Sequence, residues 1–321
     1  MKKGFSFESN PADWFETMAA ARWPRADSHI HLVRPDGDRG WAEQRKREGT
    51  TYNEPVQYNT FAQKYGVEAV LVVSVGADND GYVAEAGRRY SWCRGLASFE
   101  PAQLTVPRLE ALSSTFSPDS AGKLAGIALS AVGGAEALAA VDPTVWAYID
   151  KRRWLISQNN SKDGWLMWLP VLHSFPTLRL LIAHCGLPGA SPESERDDPA
   201  PPDVYARRLA SVLQLSRFPG PRVKLSGFYA LTNPSHDFPH RGAWGLVEAL
   251  MAAFGVERLL WGSDFSPVLG HLSFPQTIDL FQRMPFLSVD DRRQIEGENL
   301  LTLLAEIDGS SLHAEEAAAK L

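Results

Sequence analysis

Short apolar runs recur along the chain, and segments with helical periodicity separate them. The runs are rich in Val, Leu and Ile at successive positions, which is typical of parallel strands that are covered on both faces. Eight runs of this kind predict eight strands, the number that a (β/α)₈ barrel requires. The predicted strands cover residues 26–33, 67–75, 93–100, 124–130, 153–158, 178–185, 222–227 and 258–265.

Three of the separating segments show the strongest helical pattern. Within 242–255, large apolar residues recur at a four-residue step, which predicts a helix with one buried face. Segments 142–151 and 163–175 predict two further helices, and Pro170 is expected to kink the second. Strands that alternate with helices indicate the α/β class with a parallel sheet. The fold class predicted is therefore a (β/α)₈ TIM-type barrel with long βα loops.

Three long polar segments directly follow predicted strands. In a barrel such segments lie at the catalytic face, where loops carry function. They cover residues 34–59, 187–203 and 228–241. The segment 187–203 is rich in Pro and acidic residues and has two interpretations, a solvated loop or a lid over the barrel mouth.

Composition and charge narrow the class of protein. The chain has 321 residues, 44% hydrophobic and 22% charged, which suits one globular domain over 1–321 with an N-terminal extension (1–24) and a C-terminal tail (306–321). A net charge of −6 argues against a nucleic-acid partner. A small-molecule substrate is expected, and the sequence leaves a homo-oligomer open.

The location expected for the chain follows from its cysteines and its apolar segments. Two cysteines, Cys93 and Cys185, argue against a disulfide framework and agree with a reducing cytoplasm. The N-terminus has no apolar core of a signal peptide, and no segment holds the roughly 20 apolar residues of a membrane span. A cytoplasmic protein without membrane association is therefore expected.

The first predicted strand, ADSHIHLV, carries an unusual set of polar groups. Because strand side chains alternate, Asp27, His29 and His31 are expected on one face. Two imidazoles that lie two residues apart can reach one metal ion. The same motif alone is also typical of a polar strand end, so other strands must decide between the two interpretations.

Two further predicted strands end in residues that can carry chemistry. His184 ends the sixth strand and Asp264 ends the eighth. Catalytic groups of a barrel come from the C-terminal ends of different strands, so both are expected to meet His29 and His31 in one mouth. Neutral imidazoles with a carboxylate suit one divalent ion, Zn²⁺ by ligand type, with water at an open position. Beside a metal or an imidazolium, Asp264 is expected to keep a low pKa.

Four motifs in this order resemble the amidohydrolase superfamily. The resemblance is greatest to its amidohydrolase-related (type 2) branch, which includes 2-pyrone-4,6-dicarboxylate lactonase, sugar-acid lactonases and the aminocarboxymuconate-semialdehyde decarboxylase group. It extends from Asp27 to Leu304, where GENLLTLL with Asn299 resembles the closing helix of the family. The motifs are HIH (29–31), AHCGLP (183–188), VKLSG (223–227) and WGSDFSP (261–267).

The resemblance implies roles for the matching residues. His29, His31 and His184 resemble metal-binding or substrate-polarising histidines. Asp264 resembles an aspartate that binds metal or acts as a general base towards water. One divalent metal ion is implied, and metal-free catalysis stays an alternative because some similar lactonases need no metal. Asp27 is interpreted as a group behind the site that orients the histidines.

Departures from the family pattern argue against some of the metal sites, reactions and substrates found in the family. The fourth strand has no suitably placed lysine, since Lys123 lies at its wrong end, and this argues against a binuclear metal site. The strand RVKLSG has no histidine, which weakens the decarboxylase and deaminase interpretations. ALSAVGG lacks the arginines that hold the carboxylates of the pyrone dicarboxylate, which argues against that substrate.

Polar residues near the predicted strand ends are the candidates for substrate contacts. Each also has an ordinary interpretation as a turn, cap or solvated loop residue. The candidates are Arg34, Ser74, Gln158, Asn159, Tyr229, His236, His240 and His271.

The hypothesis from sequence is a hydrolase that opens a lactone or related carboxylic ester of a small organic acid. Asp264 acts as the general base, and a histidine cluster or a single metal polarises the carbonyl. Rival hypotheses are an amidase or cyclic-amide hydrolase, a metal-dependent decarboxylase of the same superfamily, or an inactive barrel that serves as a binding protein.

Overall fold

Eight parallel strands form one sheet in sequence order in a computed structural model of the protein, which describes residues 23–34, 53–116, 123–189 and 202–318. All eight predicted strands are present, and the predicted (β/α)₈ barrel is confirmed. The strands are β1 (Arg25–Ile30), β2 (Val67–Val73), β3 (Cys93–Phe99), β4 (Leu124–Leu129), β5 (Leu155–Gln158), β6 (Arg179–Ile182), β7 (Arg222–Leu225) and β8 (Leu259–Trp261).

The sheet closes between its first and last strands. Ile30 forms a parallel bridge with Phe265, just beyond β8. The backbone N–H of Asp264 donates to the carbonyl of His29 at 2.9 Å, and that of His31 donates to the carbonyl of Phe265 at 2.5 Å. The closure therefore brings the ends of β1 and β8, which carry candidate site residues, side by side.

Helices follow the strands and cover the barrel. The structure places them at α1 (Glu54–Tyr65), α2 (Asp80–Arg89), α3 (Val106–Phe116), α4 (Gly134–Ala139), α5 (Pro143–Lys151), α6 (Leu169–Ser174), α7 (Pro202–Arg208), α8 (Ala210–Leu215), α9 (Trp244–Phe254), α10 (Phe274–Arg283), α11 (Val289–Arg293) and α12 (Asn299–Ala318). A π-helical turn, Gln294–Glu298, joins α11 to α12.

The predicted helices are present with one difference in detail. The segments 242–255 and 142–151 contain α9 and α5. The segment 163–175 is a 3₁₀ helix, Lys162–Trp168, that continues as α6. Pro170 lies in the first turn of α6 rather than within a kinked helix, because a first-turn residue needs no N–H for helical hydrogen bonding.

Two predicted boundaries differ from the structure. Helix α1 begins at Glu54, inside the predicted loop 34–59, because Asn53 caps it by accepting the Val56 N–H and Pro55 favours its first turn. Helix α12 continues through the start of the predicted tail at 306. The lid predicted within 187–203 lies mostly outside the described residues, as does most of the loop that follows β1.

A buried ion pair lies at the N-terminal end of the barrel. The Nε of Arg25 is 2.8 Å from Oε2 of Glu296, and the Trp23 indole donates to the same oxygen at 3.2 Å. Arg25 also donates to the carbonyl of Tyr65 at 2.8 Å. These bonds tie β1 to α1 and to the π-helical turn.

A second buried carboxylate links two loops at the opposite end. Oε2 of Glu54 accepts the backbone N–H of Val33 at 2.5 Å, and Oε1 accepts the hydroxyl of Ser266 at 2.6 Å. Glu54 thus holds the segments after β1 and β8 together at the barrel mouth. Across the described residues, no helix has the length and apolar character needed to span a membrane.

Candidate active site

Three histidines and one aspartate meet at the C-terminal ends of three strands. His29 lies in β1 and His31 follows its last residue, with their Nε2 atoms 3.1 Å apart. Oδ1 of Asp264 is 3.8 Å from each of these Nε2 atoms, and its Oδ2 is 3.9 Å from Nδ1 of His184. All four side chains are buried. The structure therefore assembles the group that the sequence predicts.

The backbone is strained at two of these residues. His184 and Asp264 have φ values of 51° and 59°, in the left-handed region that residues with a Cβ rarely adopt. Such conformations cost about 1–3 kcal/mol each and are concentrated at functional sites. Both residues lie in the turn that follows their strand, and this turn directs each side chain towards the site.

Two glycines make room for the histidines. A Cβ on Gly227, which has a φ of 64°, would lie 2.6 Å from Nδ1 of His184. A Cβ on Gly262 would lie 3.0 Å from the Cβ of His29. The glycines of the VKLSG and WGSDFSP motifs therefore allow the backbone to approach the site closely.

Burial sets the charge of the site. It lowers the pKa of His29 well below the ordinary 6.5, and it lowers the pKa of His31 and brings that of His184 to about 3. Burial also raises the pKa of Asp264, although His31 and Tyr229 oppose this. A low pKa is expected for Asp264 beside a metal ion or an imidazolium, whereas next to neutral imidazoles burial raises it.

Tyr229 completes the surroundings of the carboxylate. Its hydroxyl donates to Oδ2 of Asp264 at 2.7 Å, and its ring stacks on exposed His271 with centroids 4.4 Å apart. Nδ1 of His271 lies 2.9 Å from the hydroxyl of Ser235. Tyr229 thus contacts the site directly, while His271 lies behind it towards solvent.

Lys224 and Ser157 also belong to the site, and the sequence interpretation assigned neither a role. Nζ of Lys224 donates to Oγ of Ser157 at 2.7 Å and lies 3.3 Å from Nδ1 of His29. Burial lowers the pKa of Lys224 to about 7. The sequence does contain a signal for Lys224. Side chains alternate along VKLSG, so Lys224 and Ser226 share the face opposite Val223 and Leu225. Ser226 lies 3.0 Å from Nδ1 of His184.

Asp27 lies behind the strand rather than beside the imidazoles. The register of β1 against β2 shifts between Asp27 and Ile30, so strict alternation does not extend across this stretch. Its carboxylate accepts the hydroxyl of Tyr58 on α1 at 2.8 Å and the backbone N–H groups of His29 and Ser263. Through these contacts Asp27 holds the junction of β1, β8 and α1.

Three predicted substrate residues each have a polar atom that contacts a group outside the site. The hydroxyl of Ser74 donates to the carbonyl of Gly76 at 3.0 Å. Gln158 accepts the Trp168 indole at 2.7 Å. His240 is buried within its own loop, with Nδ1 2.6 Å from the hydroxyl of Thr232. The remaining candidates are exposed near strand ends or in the loop after β7: Arg34, Asn159 and His236.

Comparison with known proteins adds the family to this geometry. The family profile described as amidohydrolase matches residues 26–304, which include every strand except the first residue of β1. The chain belongs to this amidohydrolase family. No curated protein sequence matches this amidohydrolase.

Solved structures share the fold of this amidohydrolase. An amidohydrolase from Burkholderia multivorans, solved with bound HEPES, has 21% identity and a TM-score of 0.69, covering 88% of this chain and 99% of the other. A second crystal form of that protein contains zinc and has 19% identity, a TM-score of 0.68 and the same coverage. At these identities the likeness shows the fold alone.

Two further structures illustrate the range of chemistry on this fold. A putative 2-pyrone-4,6-dicarboxylic acid hydrolase from Pseudomonas putida has 18% identity and a TM-score of 0.64, covering 89% of this chain and 98% of that one. A dihydroxybenzoic acid decarboxylase from Polaromonas sp., with bound manganese, has 12% identity and a TM-score of 0.59, covering 88% and 97%.

The site of this amidohydrolase has a donor set that fits one divalent ion. One ligand atom from each of His29, His184 and Asp264 lies within 4.8 Å of the others, and all three residues are buried. Their imidazoles are neutral, which is the form that binds metal. His31 offers a further ring nitrogen, Nε2, for a metal ion. Its other ring nitrogen, Nδ1, lies 2.9 Å from the carbonyl oxygen of Val73, and metal-binding histidines usually have such a hydrogen-bond partner.

Proposed function

We propose that this amidohydrolase opens a lactone or related carboxylic ester of a small organic acid by the attack of water. The observation that carries the proposal is the position of Asp264, a buried carboxylate that lies 3.8–3.9 Å from three neutral imidazoles. These distances exceed direct hydrogen bonds, and a water molecule or a substrate oxygen can bridge the groups from the open side of the site.

Asp264 acts as the general base in this proposal. A raised pKa makes its carboxylate a stronger base towards water than an exposed aspartate. Tyr229 holds Oδ2 by its hydrogen bond at 2.7 Å and leaves Oδ1 directed at the β1 histidines. Water loses a proton to Asp264 while its oxygen attacks the carbonyl carbon. The ring C–O bond then breaks, and the leaving oxygen takes the proton from Asp264.

The histidines stabilise the negative charge that develops on the carbonyl oxygen. Neutral imidazoles in a buried site can donate hydrogen bonds to that oxygen, and such preorganised donors are worth several kcal/mol in transition-state stabilisation. His29, His184 and Asp264 are the residues that would hold a divalent ion, zinc by ligand type, and such an ion would supply Lewis-acid polarisation of the carbonyl. Arg34, Asn159, Tyr229, His236 and His271 remain proposed substrate contacts.

Two rival reactions on the same barrel stay distinguishable. A decarboxylase is less well supported, since β7 and its end carry Lys224 and Ser226 where that group has a histidine. Incubation with a panel of lactones, esters and cyclic amides, followed by product analysis, separates the cases. A hydroxy acid from a lactone supports the proposal, an amine indicates an amidase, and released CO₂ indicates a decarboxylase. A silent panel with and without added Zn²⁺ or Mn²⁺ would favour a binding protein.

A further inference from the structure

A groove lies between α4 on one side and the 3₁₀ helix Lys162–Trp168 with α6 on the other. Its volume is about 620 Å³. Pockets that hold small molecules have volumes of roughly 300–1,000 Å³. None of the residues that contact Asp264 lines the groove. Its walls are mostly apolar and include Ala131, Ala135, Ala139, Leu166, Met167 and Val171.

The 3₁₀ helix separates this groove from the catalytic site. A 3₁₀ helix has three residues per turn, so residues three apart share an edge. Trp165 and Trp168 share one edge, and both are fully buried. Their indoles donate to the carbonyl of Gly186 at 2.8 Å and to Oε1 of Gln158 at 2.7 Å. The other two edges carry the residues of this helix that line the groove: Asp163, Gly164, Leu166 and Met167. The groove therefore lies across the helix from the turn that carries His184.

An amide side chain supplies a hydrogen-bond donor in the groove. Oδ1 of Asn160 accepts the backbone N–H of Ser161 at 2.9 Å, and this contact fixes the orientation of the amide. Nδ2 of Asn160 lies 3.3 Å from the thioether sulfur of Met167, which is a weak acceptor. The second hydrogen on Nδ2 has no acceptor among the residues that the structure describes. A ligand with a carbonyl oxygen would supply one.

The charges along the groove disfavour anionic ligands. Glu136 and Asp163 line it, and both are exposed. Of the described residues in its walls, none is a lysine, an arginine or a histidine. A carboxylate or phosphate would therefore meet negative charge without a cation beside it. A protonated amine would be attracted by the two carboxylates, but it cannot accept the hydrogen bond from Asn160.

We propose that this groove is a second binding site, for an uncharged small molecule with an apolar body and a carbonyl acceptor. The apolar walls bury the body of the ligand, and the free N–H of Asn160 binds its oxygen. The groove shares no residue with the group around Asp264, so the proposal does not depend on the reaction proposed above.

Two dyes with the same aromatic skeleton test the charge preference in the unsubstituted protein. N-phenylnaphthylamine is uncharged, and anilinonaphthalene sulfonate adds one sulfonate to the same rings. Fluorescence titration should show that the uncharged dye binds about tenfold or more tightly than the sulfonate. Absence of binding by the uncharged dye, or equal or tighter binding of the sulfonate, would overturn the proposal. This result needs no variant to fold.

A matched pair of variants locates the bound dye. Ala135→Phe places a ring in the groove from an exposed helical position and should weaken binding of N-phenylnaphthylamine about tenfold or more. Ala140→Phe makes the same change at an exposed residue just after α4 that does not line the groove, and it should leave the affinity unchanged. Unchanged binding in Ala135→Phe, or an equal loss in both variants, would overturn the proposal.

Asn160→Asp tests the hydrogen bond. It keeps an oxygen for the Ser161 N–H and removes the amide donor. The naphthalene ketone Prodan is uncharged and has a carbonyl acceptor, so Asn160→Asp should bind it about three- to tenfold more weakly than the unsubstituted protein does. The affinity for N-phenylnaphthylamine, which has no carbonyl, should be unchanged. Equal weakening for both dyes, or for neither, would overturn the proposed ligand class.

Discussion

The two ends of the barrel bury charged groups in different ways. At the N-terminal end, the carboxylate of Glu296 contacts the guanidinium of Arg25 at 2.8 Å, and Arg25 also bonds to the backbone of α1. At the C-terminal end, the carboxylate of Asp264 lies 3.8 Å or more from three imidazoles that burial keeps neutral. Glu296 contacts its cation directly, whereas for Asp264 the charge of Lys224 opposes only part of the effect of burial.

The difference separates a structural end of the barrel from a chemical one. Burial raises the pKa of both carboxylates, but Arg25 opposes this for Glu296 through charge and a hydrogen bond. Asp264 has a tyrosine hydroxyl and polarisable rings instead. A buried carboxylate without a matched cation costs stability, and such groups with shifted pKa values are concentrated at active sites.

Substitution of Asp264 by Asn should have the largest effect on rate. If Asp264 is the base, turnover of the best lactone should fall by about 10²–10⁴-fold. The free energy of unfolding in urea should stay equal or rise, because a buried charge is removed. Near-native turnover by Asp264→Asn would contradict the mechanism.

Substitution of Arg25 by Met should lower stability and leave turnover unchanged, the opposite of what is expected for Asp264→Asn. Removal of one partner from a buried ion pair typically destabilises by about 3–5 kcal/mol, and here it leaves the Glu296 carboxylate without its cation. Urea unfolding measures this loss. Turnover per folded molecule should not change, and addition of Glu296→Gln should recover part of the stability. A loss of turnover with stability intact would show that the two ends are not separable.

Acid should destabilise the protein through the histidines of the mouth. The pKa of His184 is lowered to about 3 from 6.5, so its contribution to stability is present above pH 6.5 and is lost as the pH falls towards 3. The loss is at most about 1.4 kcal/mol per pH unit for each such histidine. Unfolding free energies measured between neutral and acidic pH should fall less steeply for His184→Gln. Parallel slopes would show that His184 is not held neutral by burial.

Tyr229→Phe should have the smallest effect of the four. It removes one hydrogen bond to Oδ2 of Asp264, which on average is worth about 1.5–3 kcal/mol for a charged acceptor. Turnover should fall on the order of tenfold, and the free energy of unfolding should fall by less than this hydrogen bond is worth, because Tyr229 is partly exposed. Ser235→Ala, which alters only the neighbour of His271, serves as a control with unchanged rate.

Much of the fold could be predicted from local pattern. The strands are buried on both faces, so their apolar runs are continuous and their number and order can be counted. Loop boundaries were harder, because α1 begins with a cap at Asn53 within a polar stretch and α12 continues into a polar tail. Local polarity does not separate an exposed helix from a loop.

The site could be predicted only where a strand ends in a polar residue. His29, His31, His184 and Asp264 were found in this way. Lys224 was missed because a lysine in a strand usually faces solvent, and only the closed barrel places it beneath His29. The raised pKa of Asp264 depends on burial and on neutral neighbours, which only the assembled structure provides.

The pH dependence of kcat/KM for the best lactone tests the role of Asp264 most directly. If a buried Asp264 carboxylate is the base, the rate should fall as the pH drops through a pKa above the ordinary 3.8 of aspartate. In Tyr229→Phe this fall in rate should occur at higher pH. The hydrogen bond from Tyr229 stabilises the charged carboxylate, so its loss should raise the pKa of Asp264. A rate that stays constant through the acidic range, or a fall at the same pH in Tyr229→Phe, would contradict the assignment of Asp264 as the base.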